Sequence, residues 1–357
     1  MMDWGIVKLK LVLLLLSVHS FSGYSQSCDS LQCNCEKGDM NPSGIMVGHN
    51  HPKGTWMFSY RYMSMPMQDN LSGIQKVSND MIFQNYIMSP KSMNMDMHMI
   101  MAMYGITNKL SVMTMFNYNV NSMNMTMLPG TMQMQMNGMT MSDKNATSMT
   151  TKTSGIGDIK LYAMYSLYNR SCHQLILGAG ISLPTGSIKV NGDSKDMMYA
   201  GQRLPYMMQM GSGTIDILPG ATYLLKKNKI LWGTQVAGTI RPTNNSLGYS
   251  YGNDITATTW LSYRCLTWLS ASARMEGYSI GNMVGRDPNL FEVMEPDAKS
   301  TNYGGTRASG YLGLNVYLKK FAKSRLSFEY GMPFYQNLNG IQLSTRSMLY
   351  AGWSVSF

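Results

Sequence analysis

From Trp56 to Phe357 the chain alternates apolar and polar residues in segments of roughly ten, and outside the N-terminus no apolar run could cross a bilayer as a helix. That combination leaves few solutions. An extended segment with one greasy face must sink that face into lipid or into a core, and its backbone groups must all be paired. A closed antiparallel barrel in a membrane meets both demands and leaves no free edge. Trp56, Phe58, Tyr60 and Tyr62 share one face of the first segment, and Met57, Ser59, Arg61 and Met63 share the other. An arginine facing lipid costs about 2–4 kcal/mol at the midplane, so Arg61 marks the second face as the lumen. By the same test Ile159, Leu161, Ala163, Tyr165 and Leu167 face lipid, while Asp158, Lys160, Met164 and Ser166 face inward. Charged residues are only 13% of the chain, against about a quarter in soluble domains. A large soluble β-sandwich is the competing architecture.

Tight turns are expected at Thr107-Asn108-Lys109, around Asn169-Arg170-Ser171, at Lys227-Asn228, near Arg264-Cys265 and around Lys320 to Ser324. Long polar stretches separate them at 64–92, 121–154, 184–212, 241–250, 279–305 and 331–345. Six outer loops and five inner turns predict an all-β, transmembrane, antiparallel up-and-down barrel of about twelve strands with short periplasmic turns. The last strand ends Trp353-Ser354-Val355-Ser356-Phe357, and its terminal aromatic resembles the signal read by bacterial barrel-assembly machinery.

The N-terminus reads as a cleaved secretory signal over residues 1–25. Lys8 and Lys10 are its charged region, Leu11 to Val18 its short apolar core, and Gly23-Tyr24-Ser25 its cleavage site. Cys28 raises a lipoprotein alternative, but Ser25-Gln26-Ser27 before it lacks the usual apolar residue. Residues 26–54 then form a periplasmic Cys/His segment, and 55–357 the outer-membrane barrel with its Met-rich loops. The net charge of +10 is spread over single basic residues, which argues for anionic headgroups or lumen lining and against nucleic acid.

Gly155-Ile156-Gly157-Asp158-Ile159-Lys160, opening a strand, resembles the outer-membrane barrel family named for the meta pathway of phenol degradation, described as transporters. Leu183-Pro184-Thr185-Gly186 and Pro333-Phe334-Tyr335-Gln336-Asn337-Leu338-Asn339-Gly340 fit the same family. Lys53 to Met63 resembles its Met-rich branch associated with metal handling. The resemblance covers roughly residues 50–357. It implies a barrel and an outer-membrane address, and leaves the substrate open.

Methionine is the compositional anomaly, at 38 residues. Met-x-Met arrays occur at Met63, Met65 and Met67; at Met93, Met95, Met97, Met99, Met101 and Met103; at Met113 and Met115; at Met123, Met125 and Met127; at Met132, Met134 and Met136; and at Met139 and Met141. On an extended chain residues two apart lie on one side, roughly 7 Å apart, so each array lines up its thioethers. Thioethers are soft ligands that suit Cu(I) and Ag(I) and not Mg, Ca or Zn. If Thr107-Asn108-Lys109 is a turn, Met103 faces Met113 and Met101 faces Met115, on the face that also carries Ser111, Asn117 and Asn119. Ile106, Tyr104, Ala102 and Ile100 against Leu110, Val112, Thr114 and Phe116 make the greasy face, so the sulfurs point into the lumen. Stretch 121–154 has few branched apolar residues, and no core is expected there for its methionines to fill.

His98 lies within the longest array, and His49 and His51 just before the first strand. Cys28, Cys33 and Cys35 upstream could join the last two in a thiolate–imidazole site or form a disulfide with a spare thiol. The mature histidines His49, His51, His98 and His173 offer no nucleophile–base arrangement, so no enzyme is expected. The reading is therefore a barrel that binds or conducts copper or silver, with no obligatory cofactor. Its expected partners are outer-membrane lipid, the ion and periplasmic metal-handling proteins. The alternative is a general porin or uptake channel for small organic, aromatic solutes.

Overall fold

One short turn sets the register of the methionine-bearing wall. In a computed structural model of the chain, Thr107 Oγ1 accepts hydrogen bonds from the N–H groups of Lys109 and Leu110 at 3.1 and 2.9 Å, and Ile106 N–H donates to Leu110 O at 2.9 Å. The side-chain oxygen holds the turn that a two-strand hairpin needs. Pairing then runs Gly105↔Ser111, Met103↔Met113 and Met101↔Met115, as the alternation requires. The structure describes residues 40–128, 133–136, 139–142, 148–170, 172–193, 199, 201–318 and 323–357.

Twelve wall strands follow in chain order. They are β1 Trp56–Gly73, β2 Met88–Gly105, β3 Leu110–Met127, β4 in two pieces (Ser148–Ile156 and Ile159–Arg170), β5 His173–Leu183 and β6 Asp216–Lys227. Then come β7 Ile230–Thr239, β8 Asp254–Leu266, β9 Leu269–Ile280, β10 Gly305–Leu318, β11 Ser324–Thr345 and β12 Met348–Ser356. Each pairs antiparallel with its neighbour, and β12 closes on β1 from Met57↔Ser356 to Ser64↔Leu349. Closure removes the edges that lipid could not satisfy. Ile100, Phe116, Leu161, Leu261 and Leu326 stand exposed on the outer wall, where the acyl chains lie. The result is a closed twelve-stranded outer-membrane barrel.

Three expectations about loops need correction. Residues 64–92 and 121–154 are not mostly loop, because β1, β2 and β3 each run 18 residues. About 9–11 residues cross a membrane, so the rest projects outward. The row Tyr62↔His98↔Tyr118 marks the change. Beyond it the outer face turns polar with Ser64, Asp96, Asn94, Ser122 and Asn124. The stretch 331–345 is also strand, pairing with β10 through Arg307↔Gln336 and with β1 through Met67↔Thr345. The turn expected at Arg264-Cys265 falls later, between Leu266 and Leu269. Arg264 instead points inward, its Nε donating to Met40 Sδ at 3.4 Å and its guanidinium lying over the Tyr317 ring.

The lumen is filled from both ends. Of the segment 26–54, read as a periplasmic Cys/His segment, the described part from residue 40 onward enters the barrel. Asn41 O accepts from Asn315 and Arg325 on β10 and β11, and Gly44 N–H donates to Glu329 on β11 at 2.6 Å. Ile45 O accepts from Arg61 on β1, and Val47 O from Thr222 and Gln235 on β6 and β7. His51 N–H donates to Ser111 Oγ on β3 at 3.0 Å. The segment thus crosses the lumen, and its carbonyls are satisfied by wall side chains, as buried backbone must be.

On the outer side the loop between β5 and β6 folds inward. Asn119, Asn121 and Thr153 donate to the carbonyls of Met210, Met207 and Met208. The two short motifs at 155–160 and 183–186 interlock at its root. Asp158 accepts from Gly186 N–H and from Ser212 N–H and Oγ, and Thr185 Oγ1 donates to Gly157 O. A Cβ on Gly186 would sit 2.7 Å from Gly211 Cα, so only glycine lets the two loop strands touch there.

Candidate functional site

The side-chain period of two puts the odd-numbered residues of β1 from Met57 to Met67, of β2 from Met93 to Met103 and of β3 from Ser111 to Met127 on the lumen face. Across the three strands the rows read Met57–Met103–Met113, Ser59–Met101–Met115, Arg61–Met99–Asn117, Met63–Met97–Asn119, Met65–Met95–Asn121 and Met67–Met93–Met123. Past a register shift, Pro90 opposes Met125 and Met88 opposes Met127. Directly opposed side chains have Cβ atoms about 4.5–5.5 Å apart, so thioethers on adjacent strands can reach one ion. Met101, Met103, Met113 and Met115 are 1–4% exposed, whereas Ile100 on the other face is 60% exposed.

The wall divides into two apolar clusters. In the inner one Met57, Met99, Met101, Met103, Met113 and Met115 pack with Met40, Ile45 and Val47 of the crossing segment. In the outer one Met67, Met88, Met93, Met123, Met125 and Met127 pack with Tyr199, Leu204, Met208 and Leu343. This corrects the expectation that 121–154 has no core to fill. Met123, Met125 and Met127 belong to β3, and the infolded loop supplies the apolar partners from distant sequence. Met63, Met65, Met95 and Met97 sit partly buried between or beside the clusters.

Of the distal arrays, Gln133–Met136 and Met139–Ser142 form a two-stranded ribbon that pairs Met134 with Met141 and Met136 with Met139. Met132, Cys28, Cys33 and Cys35 lie outside the described residues. Cys172, in a periplasmic turn, is disulfide-bonded, and Cys265 is free and exposed. A disulfide suits an exported chain.

His98 does not join the methionines. Its even number turns it to the outer face, where Nδ1 lies 2.7 Å from Tyr60 Oη and the ring packs beside Tyr62 and Tyr118. Asp96 is on the same outer face, accepting from Tyr62 Oη and Asn94 Nδ2. Among the described residues no three His, Cys, Asp or Glu side chains group as metal ligands. The donors gathered on the lumen wall are thioether sulfurs, and a soft ion needs a place where several of them meet.

Such a place exists where the crossing segment meets the wall. A cavity of about 30 Å³ is lined by Met46 and His49 from the segment and by Met57, Met101, Met103 and Met113 from the wall. His51 stands beside His49, ring centroids 4.9 Å apart and edge to face. Arg61 and Arg325 border the same cavity. Met46 and Met57 escape a search for Met-x-Met arrays because each is isolated in sequence. Only the parity of Met57 with Arg61 hints at its direction.

The other side of the lumen is ionic. Arg274 pairs with Glu329 at 2.7 Å and with Glu276 at 2.5 Å, and its guanidinium lies 3.6 Å from the Tyr311 ring centroid. This pair faces Gly44 of the crossing segment. Its members sit on different strands, so alternation gives their side of the wall but not their partnership.

No family model matches this chain, and no curated protein does. Among solved structures it is similar to an outer-membrane channel from Pseudomonas putida F1, with 15% identity and a TM-score of 0.56, covering 89% of this chain and 100% of that one. A FadL homologue from Pseudomonas aeruginosa matches at 8% identity and a TM-score of 0.41, over 90% of this chain and 95% of that one. The toluene transporter TodX of Pseudomonas putida matches at 10% identity and a TM-score of 0.40, over 86% and 90%. Identity this low speaks to the fold.

Proposed function

We propose that this barrel binds soft monovalent metal, Cu(I) or Ag(I), on the methionine wall of its lumen and serves its passage across the outer membrane. The observation that carries the reading is the set of opposed thioether rows on β1, β2 and β3. Packing alone asks only for apolar volume, which leucine supplies equally well. Sulfur on directly opposed positions adds a ligand set that Cu(I) and Ag(I) favour and hard cations do not. Outer-membrane lipid fits the exposed apolar belt, and metal-handling proteins of the periplasm are the proposed donors or acceptors.

A second reading is a channel for small organic solutes, supported by the overall likeness to an outer-membrane channel. Against it stands the size of the cavity at the segment, about 30 Å³. An apolar cavity of about 150 Å³ is what accommodates benzene, so an aromatic solute does not fit at that place while the segment is seated. Isothermal titration of the purified barrel with Ag(I), Zn(II) and toluene separates the readings. The metal reading expects Ag(I) alone to bind tightly. Toluene binding without Ag(I) binding would establish the second.

A further inference from the structure

We propose that the ion site is composite, with Met46 and His49 of the crossing segment completing, against Met57, Met101, Met103 and Met113, a pocket for one soft monovalent cation. The inference rests on the soft-metal reading above and adds where the ion sits, what charge it carries and what its binding does to the segment.

The size of the cavity comes first. A space of about 30 Å³ exceeds the ~10–15 Å³ that one water needs, so it holds an ion or a water or two and little else. Its donors come next. Thioethers and a neutral imidazole carry no negative charge, and among the described residues no Asp or Glu lines the space. An uncompensated divalent ion would be poorly held by such ligands, whereas Cu(I) and Ag(I) take neutral sulfur and nitrogen readily.

The neighbours of the cavity sharpen the charge argument. Arg61 and Arg325 border it, and their guanidiniums donate to Ile45 O and Asn41 O of the same segment. Repulsion from two fixed positive charges doubles when the ion's charge doubles. The pocket therefore selects against Zn(II) and Cu(II) by charge as well as by softness. It also keeps the monovalent ion from being held too tightly to leave, as a conduction site requires.

Finally, the two halves of the ligand set come from separate parts of the chain. Four methionines are fixed on β1, β2 and β3, while Met46 and His49 ride on a segment that hydrogen bonds seat across the lumen. A ligand that bridges two parts binds only the conformation in which they meet, and stabilises that conformation in return. Ion binding and seating of the segment are thus one equilibrium.

The test uses the full-length barrel in detergent, titrated with Ag(I) by calorimetry, with limited proteolysis of the segment at 40–54 as a second readout. The double variant Met46→Leu/His49→Gln should lose at least tenfold in Ag(I) affinity and keep the heat-resistant gel mobility of a folded barrel. In the unmutated protein Ag(I), but not Zn(II), should slow cleavage of the segment. Unchanged affinity in the double variant, or cleavage indifferent to Ag(I), overturns the composite site while leaving the soft-metal reading in place. Equal protection by Zn(II) overturns the charge selection. Failure of the unmutated barrel to bind Ag(I) at all removes both. The proteolysis of unmutated protein decides the matter even if the variant fails to fold.

Discussion

Methionine and leucine fill nearly the same volume, so exchanging them separates what the lumen needs as packing from what it needs as sulfur. Replacing Met101, Met103, Met113 and Met115 by Leu should cost less than about 1.5 kcal/mol per site and leave assembly intact. Ag(I) affinity should fall at least tenfold. Titration of the folded variant checks this, and unchanged affinity would leave these four residues with packing alone. His98→Ala should leave Ag(I) affinity within twofold, because that ring faces outward beside Tyr60. Glu329 offers a different case. Its carboxylate faces Arg274 and receives Gly44 N–H, so Glu329→Gln strands a buried guanidinium on its remaining partner Glu276. A loss on the order of 3 kcal/mol is expected, read as a lower urea midpoint together with faster proteolysis of the segment at 40–54. Of these residues, the direction of Met101 and Met115 was legible from alternation, since one arginine and a few asparagines fix the wet face. His98 shows how proximity in sequence misleads. It adjoins Met97 and Met99 along the chain, yet a strand sends neighbours to opposite sides.

At the scale of elements, a turn and a period of two carry the register of β2 and β3, because one slipped residue would put Asn117 and Asn119 into lipid. Strand ends were not legible in this way. Residues 64–73 and 121–127 are polar on their outer face because they stand above the membrane, and polarity alone reads as loop. The outer layer over the lumen was hidden for another reason: its contacts join residues that are far apart in sequence. Met88 N–H donates to Met294 O at 2.7 Å, and Asn302 Nδ2 to Tyr86 Oη at 3.2 Å. Asp297 lies in this layer, fully buried, and burial pushes its carboxyl up from 3.8 to about 7. The folded form therefore keeps its proton between about pH 4 and 7, where the unfolded chain has lost it. Stability from this group is present at low pH and declines as pH rises toward 7, then levels off. Hydrogen exchange of 294–303, corrected for the intrinsic rate, should show stronger protection at pH 5 than at pH 8, and Asp297→Asn should diminish the difference. Equal protection of the unmutated protein at both pH values would contradict the assignment.

Across the whole molecule, the twelve strands and their closure follow from demands that lipid places on any backbone, and those demands are written in the alternation of the sequence. What fills the barrel is not. The segment at 40–51 is short, carries Gly44 and Gly48, and has no periodic pattern of its own. It is held by Arg61, Thr222, Gln235, Glu329 and Arg325, which come from four different strands. Only the folded barrel brings those partners together. A lumen closed by its own N-terminal segment and lined on one side by thioethers suits an ion handed between sulfurs, and the central claim is that this ion is soft and monovalent. The most direct measurement labels the methionine methyl groups with carbon-13 in the full-length barrel and follows their resonances during titration with Ag(I) and, separately, Zn(II). The account predicts that Ag(I) shifts the resonances of Met57, Met101, Met103 and Met113 at stoichiometric additions while Zn(II) leaves them in place. Resonances that ignore Ag(I), or that respond to Zn(II) as strongly, would contradict it.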